Sequence, residues 1–218
     1  MSIENFASKE ESYEFELEQV MQHIVDCYNL ILVSGAKLPN DENEIRSHLV
    51  EGYLSNSTIR RKYGIEDYLF DSEVGVFRET DFKQVGRSDI KVALKSHTFD
   101  EPKKCFIIEC KRLDGGTDLN REYVKEGVKR FISQAYPTFL NLNGMIGFCV
   151  QLFDIQANTN QKINQHIQKW CAVGTVTPIV QEIFIEDFEH TFISSHRTTS
   201  SQKDFKLYHL MLDTSSLH

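Results

Sequence analysis

The chain has 218 residues and a formal net charge of −8, with 40% hydrophobic and 26% charged residues. These values are typical of one ordered domain with elaborations, and they exclude the low hydrophobicity that marks disordered chains. No run approaches the roughly 18 apolar residues that span a bilayer, and the first residues are polar and acidic. We therefore expect a cytoplasmic protein without a membrane partner. Because proteins that hold nucleic acid are usually basic, any such surface here must be a local patch.

The spacing of the cysteines and the absence of common catalytic motifs leave several classes of enzyme without support. There is no CxxC pair and no cysteine–histidine spacing typical of zinc sites, so we expect buried thiols rather than a metal or disulfide framework. The cysteines are Cys27, Cys105, Cys110, Cys149 and Cys171. The sequence also lacks a Walker-type glycine loop, a GxSxG elbow and an HExxH helix, so ATPase, serine-esterase and zinc-protease functions have no support.

The N-terminal part of the chain has helical patterns. Apolar residues at helical spacing predict an amphipathic covering helix over about Glu11 to Leu32. A polar cap at Asn40 and Asp41, followed by apolar residues four apart, predicts a second helix from Asp41 to Leu54. The irregular stretch from Ser55 to Asp71 indicates a loop with a short helix.

Three runs with strand character follow, from Glu73 to Glu79, Ser88 to Leu94 and Lys104 to Cys110. The last run is almost wholly apolar, which is typical of a central strand. Helices are predicted from Tyr123 to Ile132 and from Asn160 to Ala172. Further strand-like segments are Met145–Phe153, Gln181–Ile185, Glu189–Thr198 and Lys206–Leu212. This order predicts an α/β fold with a mixed central β-sheet flanked by helices.

Charged residues gather at the ends of two of these strands. Asp89 opens the second run, and Glu109 and Lys111 close the third. In adjacent antiparallel strands Asp89 and Glu109 can converge, and strand alternation puts Glu109 and Lys111 on one face. Two close carboxylates suit Mg²⁺ or Mn²⁺. Such an ion polarises a phosphoryl oxygen and acidifies a bound water, while an ammonium orients that water, so the set suits phosphodiester hydrolysis.

The segments GRSDIKV and FIIECKR, with the acidic helix before them, resemble the PD-(D/E)XK nuclease superfamily over about residues 41–151. The resemblance implies a restriction-endonuclease-like core and Mg²⁺- or Mn²⁺-dependent cleavage of nucleic acid, with a DNA endonuclease expected. It implies Asp89, Glu109 and the Cys110 backbone carbonyl as metal ligands, and Lys111 as the catalytic lysine. In that family a glutamate of the first core helix often joins the metal site; Glu44 is the candidate and Glu42 the runner-up. A serine precedes Asp89, where the family name has proline.

The helix after the motif offers positive charge beside the proposed site. Lys125 and Arg130 could contact phosphates, or they could belong to a solvated basic face, and both interpretations stay open. Gly127 within this helix suggests a close approach to the sheet or to the substrate backbone. Gln134 is a candidate for contact with metal-bound water or a phosphate. The set of predicted nucleic-acid contacts is Arg87, Arg112, Lys125, Arg130 and Gln134.

We expect a single nuclease-like domain, with a covering helix in residues 1–40, the catalytic core in 41–151 and a sheet extension in 152–218. The last part resembles the closing hairpin of nuclease-like proteins of bacterial or phage defence, and its histidines are expected to be structural. Two other functions stay open: an inactive nuclease-fold binding or structural subunit, and a different enzyme with a carboxylate–lysine site. A homodimer, a partner subunit and the choice between DNA and RNA are not decided by the sequence.

Overall fold

The computed structural model of the chain describes residues 4–77, 84–95, 105–136 and 140–218. Its strands are β1 Tyr68–Phe77, β2 Gln84–Leu94, β3 Cys105–Leu113, β4 Leu142–Cys149, β5 Thr175–Gln181, β6 Thr191–Arg197 and β7 Asp204–Asp213. They form a seven-stranded sheet in the order β1-β2-β3-β4-β7-β6-β5. Strand β4 is parallel to its neighbours β3 and β7, and the other neighbours are antiparallel. The predicted α/β fold with a mixed sheet is confirmed.

Helices cover the sheet, and several of them contain π-helical turns. Helix α1 is Glu4–Ser34, α2 is Glu42–Leu49 with a π-helical continuation Val50–Leu54, and α3 is Ser57–Lys62. Helix α4 consists of Thr117–Glu122, a π-helical segment Tyr123–Val128 and Lys129–Ile132. Helix α5 consists of Ile155–Ala157, a π-helical segment Asn158–Ile163 and Asn164–Trp170. Short 3₁₀ segments are Ala172–Gly174 and Ser215–Leu217. Among the described helices, none has the length and apolar content needed to cross a bilayer.

The sheet has a hydrophobic core on each face. Ile108 and Ile146 pack in the core that holds the buried residues of α1 and α2. Their neighbours Ile107 and Met145 pack in the core that holds the buried residues of α4 and α5. Successive residues of a strand point to opposite faces, so β3 and β4 are buried on both sides. The central strands are therefore rigidly positioned, and β3 carries Glu109 and Lys111. All five cysteines are free and buried, as expected.

The helical predictions for the first part of the chain are confirmed. The covering helix and the second helix are α1 and α2, and α3 is the short helix expected between Ser55 and Asp71. Asp41 caps α2 as predicted, because its side chain accepts hydrogen bonds from the backbone N–H groups of Asn43 and Glu44. This cap fixes where α2 begins, and thus which of its carboxylates faces the sheet.

Several strand boundaries differ from the predictions. Strand β2 begins at Gln84, so Asp89 lies inside the strand rather than at its start, because Gly86 and Ser88 still pair with β1. Strand β3 continues past Lys111 to Leu113. In β2, cross-strand pairing therefore outweighs the turn preference of Gly86 and Ser88. The predicted ends at Glu79 and Lys104 lie outside the described residues.

The predicted limits of two strands in the C-terminal half of the chain are wrong. The predicted strand from Met145 to Phe153 ends at Cys149, where the chain turns towards α5. The strand predicted over Gln181–Ile185 is instead β5, which ends at Gln181. Strand β5 is an edge strand with three consecutive exposed residues, including Pro178. It therefore lacks the alternation by which strands are identified.

Candidate active site

Asp89 and Glu109 lie on neighbouring antiparallel strands. The backbone pairing of β2 with β3 extends from Ala93–Cys105 to Ile90–Ile108, and both acidic residues stand one residue beyond it. There the Asp89 carboxylate takes the place of a strand partner, because its Oδ2 accepts a hydrogen bond of 2.8 Å from the Cys110 N–H. Asp89 is therefore fixed against β3 beside Glu109.

Arg46 of α2 holds the other oxygen of Asp89. Its Nη1 lies 2.5 Å from Asp89 Oδ1, and its Nη2 lies 2.6 Å from Glu73 Oε1 on β1. The Arg46 side chain is only 4% exposed. Burial opposes the charged form of Arg46, but Asp89, Cys110 and Glu73 raise its pKa above the usual value. A buried guanidinium therefore orients the proposed metal ligand, and the sequence analysis did not include it.

The Lys111 ammonium lies where oxygen atoms from three elements converge. Its Nζ is 2.6 Å from the Cys110 carbonyl oxygen, 2.9 Å from Glu42 Oε1 and 3.0 Å from Glu109 Oε1. Asp89 Oδ2 is 3.7 Å away. Burial opposes the charged form of Lys111, but Glu109, Asp89 and Glu42 raise its pKa. The site is thus built to hold positive charge.

Glu109 is the most deeply buried acid of the site, with a side chain that is 1% exposed. Its Oε1 faces Lys111 and lies 3.5 Å from Arg130 Nη1, while its Oε2 has no hydrogen-bond partner among the described residues. Burial raises the pKa of Glu109 to about 7; Lys111 lowers it, Asp89 raises it, and a hydrogen bond with the Tyr136 hydroxyl lowers it. A buried carboxylate oxygen without a partner is unfavourable. Glu109 Oε2 is therefore an atom that a bound cation would satisfy.

Helix α2 brings Glu42, rather than Glu44, to this cluster. Glu42 Oε1 accepts from Lys111, and its Oε2 accepts from the Arg112 N–H at 3.1 Å. Glu44 is exposed, so the structure does not bring this predicted ligand to the site. Arg46 follows Glu42 by four residues, which places both on one helix face. That spacing is the signal by which Arg46 could have been found.

The donor set fits a hard divalent cation only in part. Within the described parts of the chain, no group of three or more histidine, cysteine, aspartate or glutamate side chains is arranged to hold a metal ion. An ion here would be bound by Asp89, Glu109 and the Cys110 carbonyl, with water completing its shell, as Mg²⁺ commonly is. The Lys111 ammonium contacts these same oxygens, and Glu109 Oε2 is without a partner. The residues present therefore meet a divalent cation's requirements in part, through Asp89, Glu109 and the Cys110 carbonyl.

Two of the predicted nucleic-acid contacts lie beside the cluster. Arg87 is exposed and pairs with Glu73 at 2.9 Å, so it shares that carboxylate with Arg46. Arg130 Nη1 donates to the hydroxyl oxygen of Tyr136 at 2.6 Å. The Tyr136 hydroxyl in turn donates to the Arg87 carbonyl oxygen at 3.1 Å. Tyr136, which the sequence analysis missed, therefore connects the end of α4 to β2.

The other three predicted contacts make different interactions. Arg112 Nη1 donates to the backbone and side-chain oxygens of Asn40, at 2.6 and 3.0 Å. The ammonium of Lys125 lies 4.6 Å from the ring centroid of Trp170 on α5. The Gln134 amide bonds to the connection between β6 and β7. Lys125 and Gln134 are therefore not gathered with the acidic cluster.

Gly127 brings α4 close to the sheet beside Lys111. A Cβ atom at this position would lie 2.5 Å from Met145 Cε and 3.8 Å from Lys111 Cγ. The first distance is far below a van der Waals contact, so a larger residue would push against Met145. The close approach expected for Gly127 is therefore to the sheet, and it packs α4 over the stem of Lys111.

Comparisons of the chain with protein-family models, with curated proteins and with solved structures found no match. The resemblance of the GRSDIKV and FIIECKR segments to the PD-(D/E)XK superfamily accordingly stays a prediction.

Proposed function

We propose that this protein is a metal-dependent nuclease that hydrolyses phosphodiester bonds of nucleic acid. The observation that carries the proposal is the convergence of Asp89, Glu109 and the Cys110 carbonyl around the Lys111 ammonium. This combination of a cation site and a second, fixed positive charge matches what phosphodiester hydrolysis requires. A cytoplasmic Mg²⁺- or Mn²⁺-dependent DNA endonuclease of bacterial or phage defence is the specific form that we propose.

Asp89, Glu109 and the Cys110 carbonyl would hold the metal ion. When bound, the ion supplies Lewis-acid polarisation of a phosphoryl oxygen and a more acidic water. Arg46 keeps the Asp89 carboxylate in one orientation through Oδ1. The buried position of Glu109 limits water around the reacting groups, which strengthens the electrostatic interactions there.

Lys111 contributes a fixed positive charge rather than a base. Its pKa is raised by Glu109, Asp89 and Glu42 against the effect of burial, so it stays protonated at neutral pH. An ammonium beside the metal ligands stabilises negative charge that grows on the phosphoryl oxygens and orients an attacking water. To act on a phosphate it must loosen its contact with Glu42 Oε1, at 2.9 Å. Glu42 is thus a positioning residue for Lys111.

A cleavage assay tests the proposal directly. Supercoiled plasmid, linear duplex DNA, single-stranded DNA and RNA are incubated with the full chain and Mg²⁺, Mn²⁺ or EDTA. We expect cleavage of DNA with either metal and none with EDTA. Nicking of circular plasmid would identify an endonuclease. If no substrate is cut with either metal by correctly folded protein, the proposal is wrong.

One observation favours the second candidate function, an inactive nuclease-fold binding or structural subunit. Both oxygens of Asp89 are already engaged, by Arg46 and by the Cys110 N–H. The carboxylates of the cluster also have basic partners of their own, as in a structural ion-pair network. In that case calorimetric titration with Mn²⁺ would give no binding, whereas a nuclease requires it.

A further inference from the structure

Helix α5 is unusually free of negative charge. No aspartate or glutamate occurs between Asp154 and Glu182, although the whole chain has a net charge of −8. Three basic residues lie in this segment: Lys162, His166 and Lys169. They are four and three residues apart, so they share one face of the helix. The acidic character of the chain is therefore reversed along this face.

This basic face borders a cavity of about 270 Å³ between α4 and α5. Six side chains line the cavity: Thr117, Asn120, Lys162, Gln165, His166 and Lys169. Asn120 is buried and its amide is paired with that of Asn158. The other five side chains can donate hydrogen bonds, and no carboxylate is among the six. We name this cavity, together with Lys125 and Trp170 beside it, the α4–α5 seam. Its donors suit a ligand that presents several anionic oxygens.

Trp170 brings positive charges from two helices together. The ammonium of Lys125 lies 4.6 Å and that of Lys169 lies 5.4 Å from the centroid of its ring. Each contact is a favourable cation–π interaction, yet the two like charges repel one another. Burial lowers the pKa of His166, and so do the nearby charges of Lys169 and Arg121. The seam thus has a positive potential that an anion would relieve.

A merely solvated helix face has a different charge pattern. On α4, Arg121 pairs with the exposed Asp118 at 2.9 Å, three residues earlier along the helix. Such local pairs are typical of helix surfaces that face water. Helix α5 contains no acid with which Lys162 or Lys169 could form one. Its charges are therefore better suited to an external anion.

We infer that the α4–α5 seam binds phosphate groups of a nucleic-acid strand and holds the strand whose scissile phosphate reaches Glu109 and Lys111. The inference rests on the proposed function and names the surface that holds its substrate. Helix α4 connects the two places, because Lys125 lies at the seam and Arg130 lies 3.5 Å from Glu109 Oε1. Lys125 and Arg130 are five residues apart on this helix.

Trp170 is the only tryptophan of the chain, so its emission reports on the seam alone. In EDTA, which prevents metal-dependent cleavage, a short DNA duplex should change this emission, and added salt should reverse the change. Inorganic phosphate at the same phosphate concentration should have little effect. An equal change with inorganic phosphate would identify a free-phosphate site and overturn the inference, as would unchanged emission when fluorescence anisotropy shows bound DNA.

Charge variants test the same inference by affinity. Lys162→Gln/Lys169→Gln should weaken DNA binding roughly tenfold or more and reduce the salt slope by about 1.8, for two lost phosphate contacts. Lys162→Arg/Lys169→Arg should retain binding. The control Lys37→Gln/Lys206→Gln removes the same charge outside the seam and should bind like the wild type. Equal affinities of the seam and control variants would overturn the inference.

The single variant Lys169→Gln guards against misfolding, because it leaves the 2.7 Å bond from Lys162 Nζ to the Gly115 carbonyl oxygen intact. Its salt slope should decrease by about half as much as that of the double variant Lys162→Gln/Lys169→Gln. Failure of the two proposals can be told apart. If the wild type cleaves DNA while the seam and control variants bind DNA equally, the inference about the seam is rejected and the proposed nuclease function is not. Binding at the seam without cleavage under any metal would reject the nuclease.

Discussion

Arg46 and Asp89 form a buried ion pair, with 2.5 Å between Nη1 and Oδ1. The same guanidinium reaches Glu73 on β1, so one side chain of α2 ties two strands together at the proposed site. The Cys110 N–H holds the second oxygen of Asp89. The carboxylate is therefore oriented before any ion arrives, and this preorganisation has consequences for stability as well as for catalysis.

Replacing Arg46 with glutamine should strongly destabilise the fold. The change leaves the Asp89 carboxylate without its buried partner, and breaking a buried ion pair typically costs about 3–5 kcal/mol. Arg87 is a matched control, since it also pairs with Glu73 but is exposed. Arg87→Gln should cost at most about 1 kcal/mol. Urea denaturation measures both; equal, small losses would show that the Arg46 pair has no special role.

Metal binding should depend on Asp89 and Glu109. Asp89→Asn and Glu109→Gln each replace a carboxylate in a site with few protein ligands, so each should weaken Mn²⁺ binding severely or abolish it. Calorimetric titration measures the affinity. Glu44→Gln, at an exposed position of the same helix as Glu42, should bind Mn²⁺ like the wild type. Unchanged affinity in both carboxylate variants would place any metal site elsewhere.

Buried histidines beneath α4 form a hydrogen-bonded chain. The Tyr123 hydroxyl lies 2.7 Å from His209 Nδ1, and Ser194 Oγ lies 2.8 Å from His209 Nε2 and 2.7 Å from His196 Nε2. Both histidines are buried, and their structural role stays a prediction. Burial lowers the pKa of each to about 3, with His196 also acting on His209.

These two buried histidines predict that acid destabilises the fold. A histidine whose pKa falls on folding stabilises the protein fully above its unfolded pKa, near 6.5, and loses that contribution as the pH falls towards 3. Each histidine should contribute a slope of up to about 1.4 kcal/mol per pH unit in this window. Denaturation at several pH values measures the slope, which should become shallower in His209→Gln. An unchanged slope in that variant would contradict the assignment.

The sequence was sufficient to predict that the central strands exist and to find the charged motif that they carry. Asp89, Glu109 and Lys111 were found because Glu109 and Lys111 follow an apolar run and Asp89 follows Gly86-Arg87-Ser88 on the preceding strand. Arg46 was missed because its partners Glu73 and Asp89 lie far along the chain, although its four-residue spacing from Glu42 places both on one helix face. Tyr136 was missed because Arg87, which it connects to α4, lies 49 residues away. Glu42 was chosen second to Glu44 because the helix face that meets the sheet depends on tertiary packing. Strand β5 lacked any alternation to read.

The measurement closest to the central claim is the cleavage rate of Lys111→Ala with Mg²⁺. The variant should keep its fold and most of its Mn²⁺ affinity, because the ammonium is not a metal ligand. Thermal unfolding must check the fold, since Glu42 and Glu109 lose a partner. Lys203→Ala, at an exposed lysine, is the control. We predict a loss of roughly 10²–10³-fold in rate, on the scale of one preorganised donor. Cleavage by folded Lys111→Ala at the wild-type rate would contradict the catalytic assignment.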